Sequence, residues 1–433
     1  PSDLGQVDQF RADVRKGWSD LRSLTSQTHK RLVLGVIIIG ALLRISQLWQ
    51  GITYDEAFTC VFYAPKPVGF ILSDYTWPNN HLLHTLLVKC SMALFGPHLW
   101  SVRLPALVAG ILSMPLFYLF VRAMFNRYVA LLTLAFVAAS GALIEYSALA
   151  RGYSLTWLFM VAASIAGRHL VKRNNAVSAV LVALFSALGM WAVPTMAYPA
   201  AAIYIWLLLY MGSLYTNSLN RRLRGLLFSF LLYVLLSVLA YLPVILTHSL
   251  DHLLHHPTLG ENTWAGFVQT HMDKALELWV FFNDTAATWV SITGFIGLSY
   301  AAYISSKYRI MLISILLACV PLVLAQAALG PPQTWAFVLF NLHLRSGIAV
   351  FYGLKYIQEK VYPGFTKRTR TALASAIILG GMGWLGMRSP KDRLERFDDA
   401  ARAAEWFIGV LKPGDRVQVL DPNDAPFEFH LMA

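Results

Sequence analysis

The stretch LVLGVIIIGALLRISQLWQGITYDEAF, residues 32–58, sets the terms for the whole chain. Its first part, to Gln50, is apolar over about the 20 residues that a helix needs to cross a hydrocarbon core. It then opens into a polar loop with two adjacent carboxylates, Asp55 and Glu56. One charge, Arg44, interrupts the apolar run roughly 8 Å before its end, at about 1.5 Å of rise per residue. Segments of similar length and character recur as far as Met387. Of 433 residues, 57% are apolar and 13% charged, against about a quarter charged in a soluble domain, and the mean hydropathy is +0.54. So little polar surface cannot cover so much apolar side chain in water. The sequence predicts an all-α polytopic membrane protein.

Eleven spans are expected, at 32–50, 101–121, 128–147, 153–170, 176–193, 195–213, 226–247, 288–304, 310–328, 334–351 and 371–387. This count places on one side the basic N-terminal segment 1–31 and the loops holding Arg122 and Arg127, Arg168 to Arg173, Arg221 to Arg224, Lys307 and Arg309, and Lys355 to Arg370. The opposite side, before Arg388, holds only Lys66, Lys89, Arg103, Arg151 and Lys274. The positive-inside bias therefore makes the first side cytoplasmic. Residues 80–98 are apolar enough to be a twelfth span, but inserting it would reverse every later loop. They are expected to lie on or partly in the outer surface, one of the juxtamembrane helices of the first loop.

The chain divides into the segment 1–31, a transmembrane domain over 32–387 with outer loops at 51–100 and 248–287, and an outer segment 388–433. That last segment reads as a charged helix, a turn at 412–415 and a short strand RVQVL, either a small appendage or the start of a further domain. The polar N-terminal residues lack the apolar core of a signal peptide, so the first span is expected to be retained. Cys60, Cys90 and Cys319 form no spaced pair, which gives neither a disulfide framework nor a thiolate metal site. The net charge of +12 is spread over short loops between spans, so it records orientation and not a nucleic-acid partner.

The informative residues are ionisable groups at the outer boundary. Asp55 and Glu56 point about 100° apart if helical, so one carboxylate faces a cavity while the other orients. Arg44, Arg103 at the start of the second span, and Arg151 with Tyr153 between the third and fourth lie at the same level. Arginine suits phosphate through paired, directional hydrogen bonds, and a carboxylate suits removal of a proton from an attacking hydroxyl. Together they describe transfer from a lipid-phosphate donor, with Asp55 as base. A Mg2+ or Mn2+ ion bridging Asp55 and phosphate is a second way to use that carboxylate. Interfacial anchoring of Arg103 and an Arg151–Glu145 ion pair are the plain structural alternatives. Arg345 and His343 lie inside the tenth span, where an ionisable group defaults to a functional role or a bond between helices. Asn80, His81 and His84 open the surface helix of the first loop and are candidates for sugar or phosphate contact, with helix capping as the alternative for the asparagine. His248, His252, His255 and His256 lack an HExxH pattern and read as part of an outer loop or lid.

Four stretches, YDEAF (54–58), NNHLLHTLLVKCSMALFG (79–96), SVRLPALVAGILSMPLFYL (101–119) and IEYSALARGY (144–153), carry a resemblance. The chain resembles the GT-C glycosyltransferases that use polyprenyl-phosphate sugars, in particular bacterial relatives of the protein O-mannosyltransferases and of the lipid A aminoarabinose transferase. The resemblance implies that Asp55 is the catalytic base and Glu56 its acidic neighbour. It implies that Arg103 stands in an arginine-leucine-proline signature near the donor phosphate, and that Arg151 and Tyr153 form the arginine–x–tyrosine pair before the fourth span. It also implies a glycan, lipid or protein acceptor, and an outward-facing site in a bacterial inner membrane. Two motifs depart from the family. Asn79-Asn80-His81 replaces a histidine or lysine followed by two prolines and a leucine. PPQTWAF at 331–337 replaces proline–x–arginine–tyrosine, so the late phosphate-binding arginine is either absent or replaced by Arg345. A transporter or flippase would share the spans and the buried charges, but should show related halves, and no internal repeat is visible. A polymerase or ligase of surface glycans is closer in kind.

Overall fold

The computed structural model describes residues 5–215 except 24, then 218–254, 263–286, 288–361 and 394–433 except 413, with isolated positions between 364 and 382. Among the described residues the protein is helical throughout. An amphipathic helix α1 (Gln6–Ser23) precedes α2 (Gln27–Ile45). The first loop holds the short helices α3 (Tyr54–Phe58) and α4 (Val68–Ser73) and the longer α5 (Leu82–Phe95). The bundle continues through α6 (Leu99–Met124), α7 (Arg127–Ala139), α8 (Gly141–Ser147), α9 (Tyr153–Arg173), α10 (Ala176–Ala192), α11 (Ala197–Leu214) and α12 (Leu219–His248). There follow α13 (Leu250–Leu254), α14 (Trp264–Ala286), α15 (Thr288–Ile304), α16 (Ser306–Gln326), α17 (Val338–Tyr356), α18 (Asp398–Val410) and α19 (Asp424–Met432).

Local chemistry sets the ends. Four helices that start from basic segments carry side-chain caps: Ser26 accepts from the His29 amide, Asn126 from Tyr128 and Val129, Asn175 from Val177, and Ser305 from Tyr308. Each satisfies a first-turn N–H that the helix itself cannot. Asn174 takes the left-handed conformation, φ 52°, that lets α9 stop and α10 begin two residues later. Much of the outside of the bundle is apolar. On α12 Leu231, Leu235, Leu239 and Leu246 are exposed, as are Leu316, Leu317 and Val320 on α16. Contiguous apolar surface of this extent fits a lipid environment and not water.

Five described helices are long and apolar enough to cross a membrane, Leu99–Met124, Tyr153–Arg173, Pro194–Leu214, Leu219–His248 and Ser306–Gln326, or six if the bent pair α7–α8 is one span. This is an all-α, multi-pass membrane fold. Helices also stand at the other spans expected up to residue 351, but α10 and α15 have 17 residues each. Helix α2 carries Lys30, Arg31 and Arg44, and α17 carries His343 and Arg345. The expected span 371–387 falls mostly outside the described residues. Helix α5 has 14 residues and so reaches about 21 Å, short of the ~30 Å core. It packs along α6.

One expectation about the last segment changes. Residues 416–420 form no strand, because among the described residues no strand is there to pair with them, and a helix not foreseen, α19, follows. The segment packs onto the acidic loop. Ala425 and Phe429 bury themselves against Ile52, Ala57, Cys60, Val102 and Ala150, and the Phe397 amide donates to the Ile52 carbonyl at 3.0 Å.

Arg44 also has a different task from the one expected. Helices α7 and α8 meet at 61° across Ser140, which strands the last carbonyls of α7. The buried Arg44 guanidinium donates to the carbonyls of Val137 (3.2 Å), Ala138 (3.0 Å) and Gly40 (2.9 Å), and its Nε to Ser147 Oγ (3.2 Å). A cation at a helix C-terminus is favourable, and here it closes a break inside the bundle. Gly40 permits the approach: a Cβ there would lie 2.8 Å from both Ala138 Cβ and Met114 Sδ. With four acceptors supplied by the protein, Arg44 is part of the scaffold and not of a phosphate site.

Candidate active site

The acidic loop starts at Thr53, which caps α3 with its hydroxyl on the Glu56 amide while the Glu56 carboxylate returns to the Thr53 amide at 3.0 Å. This capping box fixes the helix so that consecutive carboxylates diverge. Glu56 turns inward and is fully buried; Asp55 turns outward, with half its side chain exposed.

Buried Glu56 meets the equally buried Arg103. Nε reaches Oε1 and Nη2 reaches Oε2, each at 2.8 Å. The remaining guanidinium hydrogens go to the carbonyls of Leu48 (2.9 Å), Gln50 (2.7 Å) and Gly51 (2.9 Å). All five N–H donors of Arg103 are thereby used. The same carboxylate accepts from the Ala150 amide at 2.7 Å and from the Thr53 hydroxyl at 3.2 Å. Burial pushes the Glu56 pKa up, but the Arg103 charge, its hydrogen bonds and the two backbone donors outweigh it, leaving the carboxyl below its ordinary value. The expected roles change accordingly. Arg103 has no donor left for phosphate, and Glu56 has no free edge for substrate. The pair ties together the end of the first span, the acidic loop, α6 and the turn before α9.

Asp55 lies beside this clamp with looser contacts. Asn79 Nδ2 donates to its Oδ1 at 2.9 Å, and Arg151 Nη2 stands 3.7 Å from its Oδ2. Arg151 is buried, makes one long bond to the Asn79 carbonyl at 3.4 Å, and lies 5.9 Å from the Tyr153 ring centre. Its own burial works against its charge, but Tyr153 and Asp55 prevail and hold it cationic. The Ala150 amide held by Glu56 is one residue from Arg151, and Glu56 is one residue from Asp55. The sealed pair therefore sets the spacing of the open one.

The surface helix supplies the back of the site. The Gly152 amide donates to His81 Nδ1 at 2.9 Å, which leaves the ring proton on Nε2. Burial, then Arg151 and His84, drives the His81 pKa well below its usual value, so the ring is neutral. Gly152 is needed for this contact: a Cβ would lie 2.8 Å from the Ala192 carbonyl oxygen and 3.2 Å from His81 Nδ1. His81 also meets Tyr153 edge to face, with ring centres 5.3 Å apart. His84 is fully buried, both ring nitrogens lack hydrogen-bond partners among the described residues, and burial followed by Arg151 lowers its pKa to about 3.

Other expected residues stand elsewhere. Asn80 spends its amide on the Ile71 and Asp74 carbonyls, 2.8 Å each, so it braces the loop while its neighbour Asn79 reaches Asp55. Glu145 pairs with Arg396 at 3.3 Å and not with Arg151; Arg396 also donates to the Gly51 carbonyl, joining the last segment to the acidic loop. Arg345 donates to Tyr308 Oη (2.8 Å) and Asn341 Oδ1 (2.6 Å). Tyr308 lies in the first turn of α16, beside the basic residues Lys307 and Arg309, so Arg345 sits at the opposite end of the bundle from Asp55. It therefore stands apart from the Asp55 cluster. His343 is buried against Phe136 of α7, also away from the Asp55 cluster. His255 and His256 lie outside the described residues, and His248 stands 3.5 Å from Asp74 of the first loop. Among the described residues no three His, Cys, Asp or Glu side chains converge as a metal site.

Comparison with known proteins shows that this multi-pass helical fold is shared with solved structures. A family model described as dolichyl-phosphate-mannose-protein mannosyltransferase matches residues 79–246, less than half of the chain. The structure is similar to ArnT from Cupriavidus metallidurans in the apo state, with a TM-score of 0.62 at 14% identity over 94% of this chain and 85% of that one. It is similar to the same protein bound to undecaprenyl phosphate, with a TM-score of 0.59, 14% identity and the same coverage. The archaeal oligosaccharyltransferase AglB from Archaeoglobus fulgidus, in complex with an inhibitory peptide and a dolichol-phosphate, matches with a TM-score of 0.56 at 12% identity over 90% of this chain. The chain spans 59% of that protein's length. No curated protein sequence matches this chain.

Proposed function

We propose that this protein transfers a sugar from a polyprenyl-phosphate donor to a hydroxyl acceptor on the outer face of a bacterial inner membrane, through eleven crossings and a site at the first outer loop. The observation that carries this reading is the half-exposed carboxylate of Asp55 facing the buried guanidinium of Arg151 across 3.7 Å. The acceptor oxygen attacks the anomeric carbon, the bond from that carbon to the phosphate oxygen breaks, and polyprenyl phosphate leaves with the electron pair. Asp55 takes the acceptor proton. Arg151, with Tyr153 and the Nε2–H of neutral His81 beside it, meets the charge that grows on the leaving phosphate. Glu56, Arg103 and Arg44 act through position alone. The fold shared with a protein solved with undecaprenyl phosphate and another with a dolichol-phosphate supports the donor class. A Mg2+ or Mn2+ ion belongs to this reading only as one held by Asp55, donor phosphate and water. The acceptor is a glycan, a lipid or a protein.

The test is release of polyprenyl phosphate from a panel of polyprenyl-phosphate sugars, with membrane extract as acceptor and with and without a chelator. Turnover of one donor that Asp55→Asn abolishes while binding persists supports the reading. Binding and translocation of a lipid-linked sugar with no bond cleavage would replace it with the transporter reading.

A further inference from the structure

The opposite end of the bundle holds a polar cluster that transfer chemistry does not use. A cavity of about 200 Å³ opens between the N-terminal helices and α6, with Thr25, Lys30 and Arg122 on its polar side and Val33, Leu34 and Ile37 on its apolar side. Two groups there are more than nine-tenths buried. His29 shares a 3.0 Å hydrogen bond with Tyr118 Oη, and burial, followed by the charges of Arg127 and Arg122, lowers its pKa to about 4, so it adds no charge. The Thr25 hydroxyl is buried with no hydrogen-bond partner among the described residues. Among the described residues each cation has one hydrogen-bond partner, which leaves donors on both. Lys30 donates to the Arg22 carbonyl at 2.6 Å, and Arg122 makes one long bond, 3.4 Å, to Tyr118 Oη. Cationic donors and an unsatisfied hydroxyl above an apolar wall match a phosphodiester with an acyl chain attached.

Helix α1 places the opening at headgroup depth. Val7, Val14 and Trp18 are exposed, and at 100° per residue they form one stripe, on a helix that also carries Arg11, Arg15, Lys16 and Arg22. Asp8, Asp13 and Asp20 offset three of these four cations, and an amphipathic helix with one apolar stripe lies in the membrane interface.

We propose that this cavity binds one anionic phospholipid of the inner leaflet, its phosphate on Lys30, Arg122 and the Thr25 hydroxyl and an acyl chain along Val33, Leu34 and Ile37. The proposal rests on the orientation that the basic loops imply and not on the transfer reaction, so either can fail alone. The experiment is thermal unfolding of the full chain in detergent, titrated with phosphatidylglycerol, phosphatidylcholine or inorganic phosphate. Phosphatidylglycerol alone should raise the melting temperature saturably. Lys30→Gln and Arg122→Gln should each weaken its apparent affinity about five-fold, and Thr25→Val, nearly isosteric and free of the unpartnered hydroxyl, should weaken it without lowering the unliganded melting temperature. Arg11→Gln, on the exposed part of α1, should leave it unchanged. An equal shift from phosphatidylcholine, an equal shift from inorganic phosphate, no shift at all, or a phosphatidylglycerol shift that survives all three cavity variants would overturn the proposal.

Discussion

Two carboxylate–arginine pairs start from adjacent residues of one loop and end in opposite chemical states. Glu56 and Arg103 are sealed, bidentate and saturated, each accepting or donating every bond its geometry allows. Asp55 and Arg151 stand 3.7 Å apart, and the carboxylate is half open to solvent. A saturated pair can only hold; an unsaturated one can exchange its partner for a substrate. The difference comes from a single step along α3, since neighbouring positions on a helix face different ways. The sealed pair is also what spaces the open one, through its bonds next to Asp55 and Arg151.

The comparison breaks if the two carboxylates respond alike to substitution. Asp55→Asn should lower donor turnover about 10²–10⁴-fold and leave unfolding within about 0.5 kcal/mol of wild type. Glu56→Gln should instead destabilise the fold by about 3–5 kcal/mol, because it strands Arg103 as a buried unpaired charge; chemical or thermal unfolding in detergent measures it. Arg151→Lys keeps the charge and loses the fork. It should cost about ten-fold in turnover, seen in kcat more than in donor affinity if Arg151 acts on the departing phosphate. Removing the Asn79 bond to Asp55 with Asn79→Ala should cost about ten-fold, the lower end of the about 1.5–3 kcal/mol that a hydrogen bond to a charged group contributes, because Asp55 is half exposed.

The pH dependence of stability sharpens the same contrast. His84 is held neutral, with a folded pKa near 3 against 6.5 unfolded. The unfolded chain therefore binds its proton first, and stability falls as pH drops below about 6.5. Glu56, depressed below 4.5, contributes stability above that pH and loses it further down. His84→Phe should lessen the fall in melting temperature between pH 6.5 and 4.5 without abolishing it, because His81 and His29 are also held neutral there, and should leave the loss below 4.5 to which Glu56 contributes.

The membrane character and the cluster of Asp55, Glu56, Arg103 and Arg151 at one level were legible because hydropathy and charge placement are one-dimensional. Which charge does what was not. Arg44, Arg103 and Arg151 look equivalent in sequence, each an arginine at the outer boundary. Their fates are decided by stranded carbonyls at a helix break, by a buried carboxylate, and by the lack of either. Asn79 and Asn80 could be exchanged on paper, and only the turn before α5 determines which amide reaches Asp55. The Glu145–Arg396 pair spans 251 positions, a separation that no local pattern signals. Arg345 looked like a phosphate ligand because an intramembrane arginine invites one, but it bonds Tyr308 at the other end of the bundle.

The most direct test places Asp55→Asn and Glu56→Gln side by side, with unfolding and polyprenyl-phosphate release measured on the same preparations and the same donor. Release lost with stability intact in the first, and stability lost in the second, is the predicted result. Full release by Asp55→Asn, or a Glu56→Gln protein as stable as wild type, would contradict the division of labour between the two pairs.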